Sequence, residues 1–179
     1  VYAATAEGEL YVLDAKTGCI HWTLEVEASI RSAITLDQRG NGQLVAYFGD
    51  QAANVYAVDA TVGNTVGKVL WKVDVDEHPH AAITAAPQLH NGRLYVPVSS
   101  REESQVGDPR YPCCSFRGSV VSLDATTGAR LWKTYTVAQT PGPTAKNSIG
   151  TQLYGPAGGA IWNTPTIDTK RSVLYVGTG

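Results

Sequence analysis

Leu10–Trp22 reads LYVLDAKTGCIHW. An apolar alternation ends in Asp, a tight turn follows, and a glycine reverses the chain. A second stretch then carries a tryptophan. The same order returns in Val55–Lys72, VYAVDATVGNTVGKVLWK, and in Val120–Lys133, VVSLDATTGARLWK. The spacing Gly-x-x-x-Trp holds in each copy, at Gly18 and Trp22, Gly67 and Trp71, and Gly128 and Trp132. The middle copy needs a short insertion in its turn to keep it. A period of this kind is read before any single residue, because it decides the architecture.

Each part of the repeat has a physical reason. Asp14, Asp59 and Asp124 can accept the N–H groups of the turn that follows. The glycines allow the positive φ that a reversing hairpin needs. Alternating Val, Leu, Tyr and Thr suit half-buried strands. A Trp at one place in every copy supplies a large flat side chain to dock on the neighbouring copy.

Between the hairpins lie further strands. Ile30–Leu36, Leu44–Phe48, Val55–Val58 and Leu70–Val75 read as one four-stranded unit. Ile83–Leu89, Leu94–Val98, Ser119–Leu123 and Leu131–Tyr135 read as the next. Trp162–Ile167 and Val173–Val176 open a third. No stretch shows a sustained 3.6-residue period. Four strands per repeat of roughly 40–50 residues is the arithmetic of a β-propeller blade. The expectation is an all-β fold, cut from a larger propeller. Residues 1–28 are the tail of one blade, 29–80 and 81–140 are complete blades, and 141–179 hold a long loop and the first strands of another.

Composition narrows the function. Of 179 residues 43% are hydrophobic and 17% charged, which is globular rather than disordered. A net charge of -2 leaves no electrostatic footprint for nucleic acid. No apolar run reaches the roughly 18 residues of a membrane helix. The chain holds no Met and stops inside a strand-like run, so it reads as a fragment without a targeting signal to interpret.

The repeats are interrupted once, by VSSREESQVGDPRYPCCSFRG over Val98–Gly118. Chemistry is expected here. Consecutive Cα atoms lie about 3.8 Å apart, below the roughly 4.4–6.8 Å usual for a disulfide. On geometry alone Cys113 and Cys114 read either as a local disulfide or as two thiols. Glu102 and Glu103 read, on charge pattern alone, as a solvated loop pair. Cys19 reads as a small core residue on a strand. His78 and His80 form His-x-His with no third metal ligand in view, and read as a surface loop. Asp37–Gly42 has Arg39 where a Ca²⁺ loop needs an oxygen, and reads as a plain hairpin turn. Val137–Ala160 reads as a long Pro- and Gly-rich loop over the funnel or substrate.

The pattern Asp-x-x-Thr-Gly-x-x-x-Trp resembles the tryptophan-docking motif of pyrroloquinoline quinone (PQQ) dehydrogenases, whose propellers have eight blades. Leu13–Trp22 and Leu123–Trp132 match closely, and Val58–Trp71 matches with its insertion. The run from ITAAP through VSSREES, YPCCSFRG and GPAGGAIWNTPTID to VLYVGTG is similar to the polyvinyl-alcohol dehydrogenase branch. That resemblance implies a fragment of an eight-bladed propeller with tryptophan docking. It also implies a periplasmic or secreted quinoprotein that oxidises an alcohol or a polymer and passes electrons to cytochrome c, with haem c elsewhere in the parent.

Carried over residue by residue, Thr84 and Ser100 would contact PQQ, and Trp162 would be the floor on which it stacks. Glu103 would bind Ca²⁺ while Glu102 faces solvent. An Asn ligand would follow Gly177-x-Gly179, and the catalytic carboxylate would lie outside. The implied oxidising compartment favours a Cys113–Cys114 disulfide that shapes the site. In the methanol dehydrogenases the cysteine pair comes from an earlier blade, so the placement of Cys113, Cys114 and Arg117 against the quinone does not transfer directly. The docking motif also serves non-catalytic propellers, so a scaffold or ligand sensor is the rival expectation.

Overall fold

The computed structural model describes residues 1–61, 63 and 67–179. The turn insertion expected in the middle repeat falls largely outside the described residues. Strands β1 (Tyr2–Ala4), β2 (Glu9–Leu13) and β3 (Ile20–Glu25) form a first antiparallel sheet in that order. Strands β4 (Thr35–Gln38), β5 (Leu44–Gly49), β6 (Asn54–Asp59) and β7 (Lys68–Asp74) form a second. The third holds β8 (Ala81–Ala82), β9 (Gln88–His90), β10 (Arg93–Ser100), β11 (Ser119–Asp124) and β12 (Arg130–Tyr135), with β8 and β9 both paired to β10. Two hairpins follow, β13 (Gly142–Lys146) with β14 (Gln152–Gly155), and β15 (Thr166–Asp168) with β16 (Val173–Tyr175). Among the described residues the only helical element is a 3₁₀ turn at Glu102–Gln105. The fold is all-β, as the repeats predict.

The burial of β5 explains how the sheets stack. Val45, Ala46, Tyr47 and Phe48 are all buried, although successive strand residues point to opposite faces. Ala46 and Phe48 join Leu10, Val12 and Trp22 of the first sheet in one core. Val45 and Tyr47 join Leu94, Val96, Val98 and Val121 of the third in another. The second sheet is therefore covered on both sides, which is why β5 reads as a continuous apolar run.

The repeated Asp and Gly do the same work in the first and third copies. Asp14 Oδ1 accepts Lys16 N and Thr17 N at 3.0 and 2.8 Å, and Asp124 Oδ1 accepts Thr126 N and Thr127 N at 3.0 and 2.8 Å. Gly18 and Gly128 follow at φ 73 and 75. Trp22 lies against Gly67, and a Cβ on Gly128 would come 2.8 Å from the ring of Trp71. Trp71 Nε1, Tyr47 Oη and Arg39 Nη2 all donate to the one carbonyl of Ala125, at 3.3, 3.0 and 3.3 Å. Trp132 is instead partly exposed, with its ring 5.9 Å from Tyr95 of its own sheet.

The Thr127 amide, and then its hydroxyl, hold the Asp124 carboxyl below its usual range. A depressed pKa stabilises the fold above the unfolded carboxylate pKa, near 4, and the gain is lost as pH falls through the folded value. Asp124→Asn should therefore lower the melting temperature at pH 7. The gap to the parent protein should close in strong acid, as read by thermal unfolding at both pH values.

Several expected boundaries differ for clear reasons. Ile30 donates its N–H to Thr5 O, just past β1, so β4 starts only at Thr35. Ile83 donates to Asp50 O, just past β5, and Pro87 has no N–H, so the strand expected over Ile83–Leu89 splits into β8 and β9. Cys19 is exposed at the turn before β3, not a core residue on a strand. The loop expected over Val137–Ala160 contains the β13–β14 hairpin. The turn between β4 and β5 is the plain hairpin expected, with Gly42 N bonded to Arg39 O at 2.9 Å.

Candidate functional site

The end of β10 gathers most of the residues singled out above. Ser99 and Ser100 pair with Ala82 and Ala81 of β8. Ser99 Oγ donates to Ala82 O at 2.8 Å and lies 2.9 Å from Thr84 Oγ1. Since Ser99 has one hydroxyl proton and gives it to Ala82, Thr84 is the donor of that pair. Ser100 points to the other face, as strand alternation requires. Its Oγ accepts Glu102 N at 2.8 Å, and its own proton finds no acceptor among the described residues. Sequence reasoning named Thr84 and Ser100 together. The structure joins Thr84 to Ser99, a residue hidden by lying next to another serine.

The acidic pair is turned over relative to expectation. Glu102 is buried, at 4% exposure, and Glu103 is exposed. The Glu102 carboxylate accepts Ser115 N at 2.8 Å, Phe116 N at 3.0 Å and Tyr111 Oη at 3.0 Å. Burial first, and then that bond to Glu102, push the Tyr111 hydroxyl pKa up to about 12. Glu102 does not face solvent because it is the partner of backbone N–H groups that would otherwise be buried and unpaired.

Cys113 and Cys114 are joined as a disulfide. They sit two and one residues before Ser115, so Glu102 fixes the end of their turn. On the other side the pair bonds the edge of β14: Tyr154 N donates to Cys113 O at 2.8 Å and Cys114 N to Tyr154 O at 3.2 Å. The β13–β14 hairpin thus straps the insertion down.

The His-x-His expected on a surface loop grips the same insertion. His78 Nδ1 accepts His80 N at 3.2 Å, so its ring proton is on Nε2, 3.1 Å from Ser115 Oγ. Its ring meets Phe116 edge-on at 5.4 Å, and His80 meets Tyr111 at 5.6 Å. Burial lowers the His78 pKa. No sequence signal linked these histidines to residues some thirty positions on.

Trp162 enters through its neighbours. Ile161 N donates to Val98 O at 3.2 Å, which sets the next residue, Trp162, beside the end of β10. Gly118 N donates to Gly158 O at 2.8 Å, and Gly158 N to Phe116 O at 2.7 Å. Gly118 has no room for a side chain, since a Cβ there would overlap Gly159 O. Trp162 keeps 43% of its surface exposed, with Gly179 against one edge.

Arg117 is held apart from this cluster. Its Nη1 donates to Val137 O and Ala138 O at 3.4 and 3.3 Å, and its guanidinium lies 3.7 Å over the Tyr135 ring. No polar contact among the described residues links it to Thr84, Ser100 or Trp162.

Comparison with known proteins then places the chain. A family model, PQQ_2, described as outer membrane protein assembly factor BamB, matches residues 1–152. The chain belongs to this PQQ_2 family. Within reach of it, the polyvinylalcohol dehydrogenases of Pseudomonas sp and of Sphingopyxis sp. strain 113P3 are 41% and 40% identical over 99% of the chain. The chain spans 28% and 27% of their own lengths. A solved quinohemoprotein alcohol dehydrogenase, ADHIIG from Pseudomonas putida, superposes with a TM-score of 0.69 at 22% identity, over 99% of this chain and 26% of that one. That likeness is one of fold. The resemblance to quinoprotein alcohol dehydrogenases read from the motifs therefore holds. No helix of the described residues is long and apolar enough to cross a membrane.

The site can be tested for the groups this family implies. For a planar quinone the residues fit. Trp162 offers an open aromatic surface and Thr84 and Ser99 a hydroxyl pair with acceptor capacity left, while Ser100 keeps an unspent donor on the opposite face of the strand. For a metal ion they do not suffice. Among the described residues no group of three or more His, Cys, Asp or Glu side chains could hold one. Glu102 is already engaged by three donors, and Glu103 is exposed.

Proposed function

We propose that the chain is part of a longer, eight-bladed quinoprotein propeller with tryptophan docking, which oxidises alcohol groups, those of a hydroxylated polymer included. Two complete blades would span 29–80 and 81–140, flanked by parts of others at 1–28 and 141–179. The observation that carries this reading is the β10 end. Thr84 and Ser99 share a hydrogen bond there, Ser100 lies next to them in the chain and accepts Glu102 N, and Ile161 ties the segment carrying the exposed Trp162 to Val98 of the same strand. The 41% identity to a protein named polyvinylalcohol dehydrogenase supports the substrate class.

Bound PQQ would supply a two-electron acceptor for the carbinol carbon. The residues of this chain would bind and orient it. Trp162 would stack on its face, and the serine and threonine hydroxyls would bond its polar edge. The disulfide turn would shield it from water. Arg117, the remaining candidate from the sequence, is on this reading a contact only at the margin, because Tyr135 and two carbonyls hold it. The general base that accepts the hydroxyl proton would come from outside this chain. Ca²⁺ belongs to the proposal only with donors from elsewhere in the parent, with the exposed Glu103 as the carboxylate this loop would add. Cytochrome c as electron acceptor, haem c in the parent and a periplasmic or secreted location complete the reading.

The test is reconstitution of the full-length apoprotein with PQQ, followed by dye reduction with alcohols. Reconstituted activity is expected, and Trp162→Ala should weaken PQQ binding at least tenfold, or about 1.4 kcal/mol. The family model's description names an assembly factor, which favours a second reading as a non-catalytic scaffold. Absence of both quinone binding and activity would select that reading.

A further inference from the structure

A cleft of about 730 Å³ opens beside the disulfide turn, between the segment after β7 and strand β12. It falls within the roughly 300–1,000 Å³ of small-molecule sites. We propose that this cleft is a second binding subsite, which takes an extended aliphatic chain bearing hydroxyl groups and leads it toward the β10 end. The inference rests on the alcohol-oxidising reading above and adds where the rest of a long substrate lies.

Three features select that ligand. Of the three cations in the lining, Lys133 is paired with Asp76 and Arg117 is held by Tyr135 and two carbonyls, which leaves Arg130 with Glu77. Lys133 Nζ lies 2.7 Å from Asp76 Oδ2 and 3.1 Å from Val75 O, with both side chains largely buried, so the deepest cation is already paired. The lining mixes acceptors and donors, Glu77 with Ser115, Arg130 and Thr140, and sets them among the apolar faces of Pro79, Pro141 and Tyr135. An anion would find Lys133 and Arg117 already engaged and Glu77 beside the remaining Arg130, and a bare alkane would leave the polar groups unpaired. A neutral chain that alternates methylene and hydroxyl satisfies both kinds of wall.

The walls are also built in place. Arg117 stacks on Tyr135 and bonds Val137 O and Ala138 O, which fixes the backbone leading to Thr140. Thr136 pins the same segment through Gly118 O and Gly159 O, at 3.0 and 2.8 Å. The lining includes Ser115, the residue directly after Cys114. A chain lying along it would therefore arrive beside the turn that shields the proposed quinone position.

The experiment uses the full-length protein with Arg130→Gln and Thr140→Ala, both exposed positions outside the quinone contacts. Equilibrium dialysis of a vinyl-alcohol oligomer against the apoprotein reads the cleft without turnover. Each variant should retain the oligomer about fivefold less well, the worth of one net hydrogen bond. In the reconstituted enzyme KM for the polymer should rise by a similar factor while kcat and KM for 2-butanol stay unchanged. Equal oligomer retention by parent and variants would overturn the proposal, as would a parallel rise of KM for both substrates. Failure of PQQ to bind would instead sink the quinone reading, and it is scored separately from the dialysis.

Discussion

Glu102→Ala is expected to release the whole insertion between β10 and β11. The Glu102 carboxylate accepts Ser115 N, Phe116 N and Tyr111 Oη, and the residue is 4% exposed. Removing it leaves buried donors without partners, at about 1–3 kcal/mol each. The sum is not additive, but a loss of about 3–5 kcal/mol is a large share of a typical folding free energy of about 5–15 kcal/mol. Chemical denaturation should show a lower midpoint. Limited proteolysis should cut between Arg101 and Arg117 in the variant and spare the parent. Glu102→Gln tests the cause, because an amide oxygen keeps one acceptor site and should recover part of the loss. A variant as stable as the parent would mean that the carboxylate does not hold the loop.

Gly118→Ala is expected to be nearly as damaging, and for a different reason. The added Cβ would overlap Gly159 O, a backbone atom held by Thr136 Oγ1 at 2.8 Å. Overpacking usually costs about 1–3 kcal/mol when side chains can move aside. Here the obstacle is main chain, so the segment from Gly158 to Trp162 must shift. The Ile161–Val98 bond, 3.2 Å long, goes with it. The melting temperature should fall, and quinone affinity should fall with it even where the variant stays folded. A variant with normal quinone affinity would show that Trp162 is not placed by this contact.

Much of the fold was legible because the repeat states its own geometry. Asp14 and Asp124 and the glycines after them perform as the spacing predicts, whereas Trp132 stays partly exposed beside Tyr95 of its own sheet. Strand ends were less legible where a backbone N–H leaves its own sheet. Ile30 and Ile83 look like strand residues by side chain, yet their amides bond Thr5 O and Asp50 O, just past the ends of β1 and β5.

The site was legible in part. The VSSREES and YPCC motifs located it, but period-2 alternation decides which of two adjacent like residues faces which way. Without a fixed register Ser99 and Ser100 cannot be told apart in sequence, and Glu102 and Glu103 lie on a 3₁₀ turn whose buried side is set by what folds against it. His78 and His80 do lie on a loop, half-buried, but their contacts with Ser115, Phe116 and Tyr111 exist only after folding and leave no mark in the sequence.

The most direct measurement is the position of PQQ in crystals of the full-length protein soaked with the quinone. The account predicts its ring system stacked on the Trp162 indole, with its polar edge toward Thr84 and Ser99 and the Cys113–Cys114 turn over it. Quinone density elsewhere in the molecule, with the β10 end and Trp162 left bare, would contradict it.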